Sequence, residues 1–128
     1  MEVVAVGDSV VIICENNEVT RRFPLDDPEQ FNERPELLST RNDLNGFLSD
    51  PFFNTKHVLV SPVNSQTAVL LMTDAIGHWC YKAIVEGREE WRLLLSIDSV
   101  LEFNEFVLES RKDKLMKIDD TTLVRLRF

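Results

Sequence analysis

The chain has 128 residues, 44% hydrophobic and 28% charged, with 22 acidic against 14 basic side chains and a net charge of −8. That length leads us to expect one domain over 1–128, able to bury roughly two-thirds of its unfolded surface, and the apolar content is too high for a disordered chain. The acidic excess argues against a nucleic-acid partner, and no apolar run reaches the ~20 residues needed to span a membrane.

In chain order, residues 2–14 are rich in Val and Ile around Gly7-Asp8-Ser9, which predicts two short strands or one strand bulged at the glycine. Glu15-Asn16-Asn17-Glu18 is a polar turn, and 19–25 is the returning arm of a hairpin. Pro24, Pro28 and Pro35 punctuate a polar stretch through Asp50, read as a long loop with at most a helical turn near Gln30 or Leu37. Loops of that length inside a domain are usually functional or disordered, so 26–50 is where substrate or partner contacts are expected.

Residues 57–60 form a short β-branched run, with His57 as a structural residue at its start. Residues 67–73 are nearly all apolar, as in a strand covered on both faces. A helix is predicted over 75–86, stopped by Gly87, and a short one over 89–96. Ser99 and Glu102 then form a capping box. The helix they open has an apolar stripe of Val100, Phe103, Phe106 and Val107, and Arg111, Lys112 and Lys114 suit its C-terminal dipole. After a turn at 117–120, residues 121–128 read as a last strand. Strands, then helices, then a strand predict an α+β layered fold with sheets covered by helices. Cys14 and Cys80 read as small buried hydrophobes in a reducing compartment. No basic, apolar leader precedes the first strand, so a cytoplasmic location follows by elimination.

Three acidic positions share one context. Asp8 lies at a break between β runs, Asp74 directly follows the buried strand, and Asp119 and Asp120 directly precede the last one. Carboxylates at strand ends can converge at one edge of a sheet, and such an oxygen-rich cluster suits Mg²⁺ or Mn²⁺. Plainer roles stand beside that one: Asp74 as a helix cap, Asp119-Asp120 as a turn, and Asp8 as a partner of the Gly7 turn.

Ala5-Val6-Gly7-Asp8-Ser9, Leu71-Met72-Thr73-Asp74-Ala75 and Asp119-Asp120-Thr121-Thr122-Leu123-Val124 occur in this order. Together they resemble three successive motifs of the type-2C metal-dependent serine/threonine protein phosphatases, the PPM family. Phe23-Pro24-Leu25, Phe31-Asn32-Glu33-Arg34-Pro35 and Trp91-Arg92 resemble a bacterial branch of it, and the likeness runs from about Val3 to Phe128.

The resemblance implies part of a layered β-sandwich flanked by helices. It also implies a two-metal Mg²⁺ or Mn²⁺ site in the complete domain, and hydrolysis of phosphoserine or phosphothreonine in a phosphoprotein by metal-activated water. Asp74 and Asp119 are its metal-ligand candidates. Asp8 and Asp120 are neighbours of the metal centre, and His78, where many members carry another Asp, is a weak-ligand candidate as well as a candidate packed or surface histidine. Ala75 stands where glycine is usual.

The family's N-terminal half, with its phosphate-holding basic residue and its metal-bridging Asp-Gly motif, has no counterpart here. The resemblance therefore places the chain in the C-terminal half of such a domain, with open strand edges and an uncovered apolar face. It would then dimerise, join a chain carrying the other half, or be marginally stable. A non-catalytic protein-binding module is the rival reading, and an unrelated α+β protein with acidic turns is a third.

Overall fold

The computed structural model describes residues 1–32 and 34–128, so Glu33 of the Phe31–Pro35 motif lies outside the described residues. Strands β2 (Val10–Glu15) and β3 (Glu18–Phe23) form the hairpin expected around the polar turn at 15–18. Asn16 and Asn17 turn it with φ of +53° and +62°, a left-handed pair that matches the twist of the flanking strands. Strand β5 (Thr67–Met72) pairs antiparallel along the whole of β2, and β6 (Leu123–Arg127) pairs with the far side of β5. The resulting four-stranded sheet has the order β3-β2-β5-β6. A second, two-stranded antiparallel sheet joins β1 (Glu2–Val4) to β4 (Val58–Val60). The chain is α+β with two antiparallel sheets, and no helix of the described residues is long and apolar enough to cross a membrane.

Period-two alternation sorts the β2 and β5 side chains into two layers. Val10, Ile12, Cys14, Leu70 and Met72 face a core completed by α2 (Asp74–Val85), a 3-10 helix (Glu89–Leu95) and α3 (Val100–Lys112). Val11, Ile13 and Val69 face the other way, toward Met1, Val3 and Leu59 of the small sheet. Ile12, Ile13, Leu70, Ile76 and Leu94 are fully buried, each contributing about 1.5–3 kcal/mol relative to exposure. Cys14 and Cys80 are free and buried; burial pushes the Cys14 thiol up to about 11 and raises that of Cys80 as well.

Both long helices end in Schellman motifs. After α2, the N–H of Arg88 bonds the carbonyl of Ala83 and that of Gly87 bonds Ile84, with Gly87 at φ +68°. After α3, Leu115 and Lys114 do the same to Ser110 and Arg111, with Lys114 taking the left-handed position at φ +58°. At its start, Ser99 Oγ accepts the Glu102 N–H at 3.1 Å, as the capping box requires. The Glu102 carboxylate reaches one residue further out, to the N–H of Asp98 at 3.0 Å.

Several expectations need correction. His57 closes a short helix, α1 (Phe53–His57), and the strand begins at Val58. The His57 ring packs against Phe47 and Phe53, contacts that only the fold brings together. The stretch 26–50 winds through three 3-10 turns, at Pro28–Asn32, Asn42–Leu44 and Gly46–Ser49, and none forms at Leu37. The short helix expected over 89–96 is present as a 3-10 helix over Glu89–Leu95. Val100 is 77% exposed, because the first turn of α3 lies outside the core and the buried stripe begins at Phe103.

Among the described residues, β3 and β6 are the edge strands of the four-stranded sheet. Val124 and Leu126 share a face with Leu71 and Val69, their cross-strand partners. The small sheet covers Val69 but leaves Val124 and Leu126 at 47% and 41% exposed.

Helix α2 lies close against the sheet because Gly77 has no side chain. A methyl there would sit 2.5 Å from Val10 Cγ2 and 3.3 Å from the Phe31 ring. Gly77→Ala gains about 1 kcal/mol of helix propensity but overpacks a fully buried site. We expect a net loss of about 1–2 kcal/mol, read as a lower urea midpoint at unchanged slope.

Candidate functional site

The strand register selects one end of the four-stranded sheet. Val10 pairs with Met72, and Met72 pairs with Leu123, so β2 starts, β5 ends and β6 starts side by side. The segments just outside those residues hold Asp8, Asp74, Asp119 and Asp120. All four therefore emerge at the same end of the sheet.

Thr73 ties two of these segments together. Its N–H donates to the carbonyl of Thr122 at 3.2 Å, and its hydroxyl donates to the carbonyl of Asp120 at 3.1 Å while accepting the N–H of Thr122 at 3.0 Å. Arg111, in the last turn of α3, holds the same loop from the other side. Its guanidinium donates to the carbonyl of Lys117 at 3.3 Å, to the hydroxyl of Thr121 at 2.8 Å and to the carbonyl of Asp119. Within the loop, a carboxylate oxygen of Asp119 accepts the N–H of Asp120 at 2.8 Å, a local turn that leaves both exposed side chains on the rim.

Asp74 is the first residue of α2 and does not cap it. Thr73 is the N-cap residue, with its hydroxyl committed to the 119–122 loop and no side-chain capping bond. The Asp74 carboxylate benefits from the helix dipole and is half-buried, with Lys117 Nζ 3.9 Å from Oδ2. His78 follows one turn later on the same face, its ring tilted against Phe31 with centroids 5.5 Å apart. Burial, and then the positive charge of Lys117, hold its imidazole below the ordinary value of 6.5.

Asp8 is exposed and belongs to a neighbouring cleft. That cleft, of about 300 Å³, is walled by Pro24, Leu25, Phe31 and Pro35 and edged by Asp8 and Arg34. His57 lies at its floor, with Nδ1 2.9 Å from the carbonyl of Ala5 and Nε2 3.0 Å from Glu36 Oε2. These bonds pin the 26–50 loop to the β1–β4 sheet, in keeping with a structural role for His57. Phe31, which touches both the cleft and His78, joins cleft and acidic rim.

Among the described residues, no three His, Cys, Asp or Glu side chains converge at metal-binding range. Asp74 and Asp119 are nonetheless hard oxygen donors on one rim. A set of one or two carboxylates fits a Mg²⁺ or Mn²⁺ ion that keeps most of its water.

Lys117, Arg111 and Thr73 have no assigned site role in the sequence. Lys117 reads there as part of a turn and Arg111 as a helix-end charge, because nothing local says that their loop folds back over Asp74.

Two outcomes follow. As pH falls through 6.5, the unfolded chain takes up a proton on residue 78 before the folded one does, so stability drops between pH 7 and pH 5. His78→Gln should flatten that part of the profile, measured as urea midpoints across the range. Arg111→Ala should cost about 1–2 kcal/mol and speed hydrogen exchange at the amides of Asp120 and Thr122, while the amides of β2 stay protected.

Compared with protein-family models, with curated proteins and with solved structures, the chain matches none.

Proposed function

We propose that this chain is the C-terminal part of a metal-dependent serine/threonine protein phosphatase domain of the type-2C kind, and that its substrate is a phosphoprotein. The observation that carries the reading is the register Val10–Met72–Leu123, which sets the three motif segments side by side at one end of the sheet. Two sheets packed through Val11, Ile13, Val69, Val3 and Leu59, with helices on the opposite face, are in keeping with a layered sandwich.

In this reading Asp74 and Asp119 hold Mg²⁺ or Mn²⁺, which when bound supplies charge neutralisation for the phosphoryl group and activates its attacker. The protein's own part is positioning. Thr73 and Arg111 fix the Asp119 loop relative to Asp74, which stands in the first turn of α2. Gln30, Phe31, Arg34, Pro35 and Glu36 of the long loop line the cleft beside Asp8, where the chain flanking a phosphorylated residue would lie. A second copy, or a chain carrying the other half, would cover the open β6 edge and complete the metal's coordination.

A non-catalytic module that binds a protein partner is the second reading. It is favoured by the exposed Val124 and Leu126 on an edge strand, with Phe128 just beyond it, and by the pairing of Asp74 with Lys117.

Hydrolysis of p-nitrophenyl phosphate with Mn²⁺, against EDTA and against Asp74→Asn, separates the two. The phosphatase reading expects turnover that EDTA abolishes and that Asp74→Asn lowers by about a hundredfold or more. Mn²⁺ binding without turnover, in the chain alone and with added partner, would leave the binding module.

A further inference from the structure

His57 stands where α1 meets β4, its side chain 12% exposed and packed on the rings of Phe47 and Phe53. Both of its ring nitrogens face acceptors. Nδ1 is 2.9 Å from the carbonyl of Ala5, and Nε2 is 3.0 Å from Glu36 Oε2. A neutral imidazole carries one N–H, and neither a carbonyl nor an ionised carboxylate can donate. With a single ring proton, a nitrogen lone pair faces an oxygen lone pair at hydrogen-bond distance, which is repulsive. The arrangement closes only when the pair holds one proton more, as imidazolium beside carboxylate or as neutral imidazole beside carboxylic acid.

The contact matters for what it fastens. Residues 34–38 are irregular and exposed, and among the described residues the Glu36–His57 contact is their one polar side-chain tie to another element. Arg34, Pro35 and Glu36 line the cleft beside Asp8, together with Lys56 and His57. A segment held by so little is drawn from the low-stability end of a fold, where losing one contact is enough to open it.

We propose that Glu36 and His57 form a proton-operated latch, closed when the pair holds the extra proton and released as pH rises, so that the Arg34–Glu36 wall of the cleft comes and goes with pH. The closed state binds more protons than the open one, so falling pH favours closure and rising pH favours release. Histidine changes charge between about pH 5 and 8, which sets the range of the response. Other charged groups lie near the ring. Lys56 and Asp50 are paired with each other at 3.3 Å, Asp50 feels the charge of His57, and Asp8 and Arg34 edge the cleft. Among the described residues, Glu36 is the one carboxylate in hydrogen-bond contact with the ring. The latch is independent of any metal at the acidic rim.

The test is ¹⁵N NMR of the intact chain at about pH 5.5 and about pH 8.5, reading the ring nitrogens of His57, the carboxyl carbon of Glu36 and the backbone order parameters of residues 36–38. At the lower pH the pair should hold the extra proton with order parameters near about 0.85; at the higher pH the proton should be gone and the values below about 0.6. Glu36→Gln should remove the response, because a neutral amide can donate to the ring or accept from it, and the order of the segment should then be the same at both pH values. His57→Phe keeps a ring against Phe47 and Phe53 but has no nitrogen, and should leave the segment mobile throughout. Rigid β2 amides show in each sample that the fold persists; if His57→Phe fails that check, the wild type and Glu36→Gln decide. Wild-type order parameters that are equal at the two pH values, or a segment that stays ordered after the extra proton has left, overturn the latch. A Glu36→Gln variant that responds to pH as the wild type does overturns it as well.

Discussion

The antiparallel pairing of β2 with β5 is the constraint on which the rest of this protein depends. Residues 10–14 are at most 4% exposed, so both faces of the strand are committed: one to the helices and one to the small sheet. A slip of one residue against β5 would exchange those faces and put Val11 and Ile13 where Val10 and Ile12 now meet α2. The register is thus held by burial on two sides. The same register places Gly7-Asp8-Ser9 beside Thr73-Asp74, and the acidic end of the sheet follows from core packing several residues away.

Helix α2 fixes where Asp74 stands at that end. It follows β5 after the single residue Thr73, so Asp74 opens a largely buried helix two residues beyond the end of a buried strand. Gly77 sets how near the helix comes to Val10, and Phe31 closes over the glycine and reaches His78 and Tyr81. The 26–50 loop is therefore tied to the core at Phe31 and, through Glu36 and His57, to the second sheet. In the described part of this polar segment, a few apolar anchors and local side-chain bonds, such as those from the amides of Asp26 and Asp27 to Gln30, stand in for regular strands and α-helices.

The electrostatics of the rim are a contest between a global and a local charge. With a net charge of −8 the protein repels anions at long range, but within a Debye length of about 10 Å the rim has its own cations, Lys117 and Arg111. Arg111 spends its charge on backbone carbonyls and acts as a clamp. Lys117 spends its charge on a carboxylate and acts as a counter-ion. Those two different uses of one sign of charge separate holding the loop from pairing with Asp74.

Much of the architecture was legible in the chain itself. A run rich in Val and Ile marked β2, the continuous apolar run at Thr67 to Met72 marked a strand covered on both faces, and Ser99, Glu102 and Gly87 marked helix ends, because each signal acts through neighbours a few residues apart. Positions of Asp8, Asp74, Asp119 and Asp120 at strand ends could be read in the same way. Other features needed the tertiary structure. α1 replaced the start of a strand because the His57 ring packs on Phe47 and Phe53 and bonds Glu36, none of which local pattern brings together. Val100 fell outside the core because helical period says which residues share a face but not where the sheet ends. Lys117 met Asp74, 43 positions earlier, because Thr73 and Arg111 fold one loop onto the end of another strand. By itself, the sequence determined which residues are apolar, where elements start and stop, and that carboxylates stand at strand ends. The tertiary structure decided which of those carboxylates face a cation, since that depends on contacts between segments far apart in the chain, held by packing that no local propensity encodes.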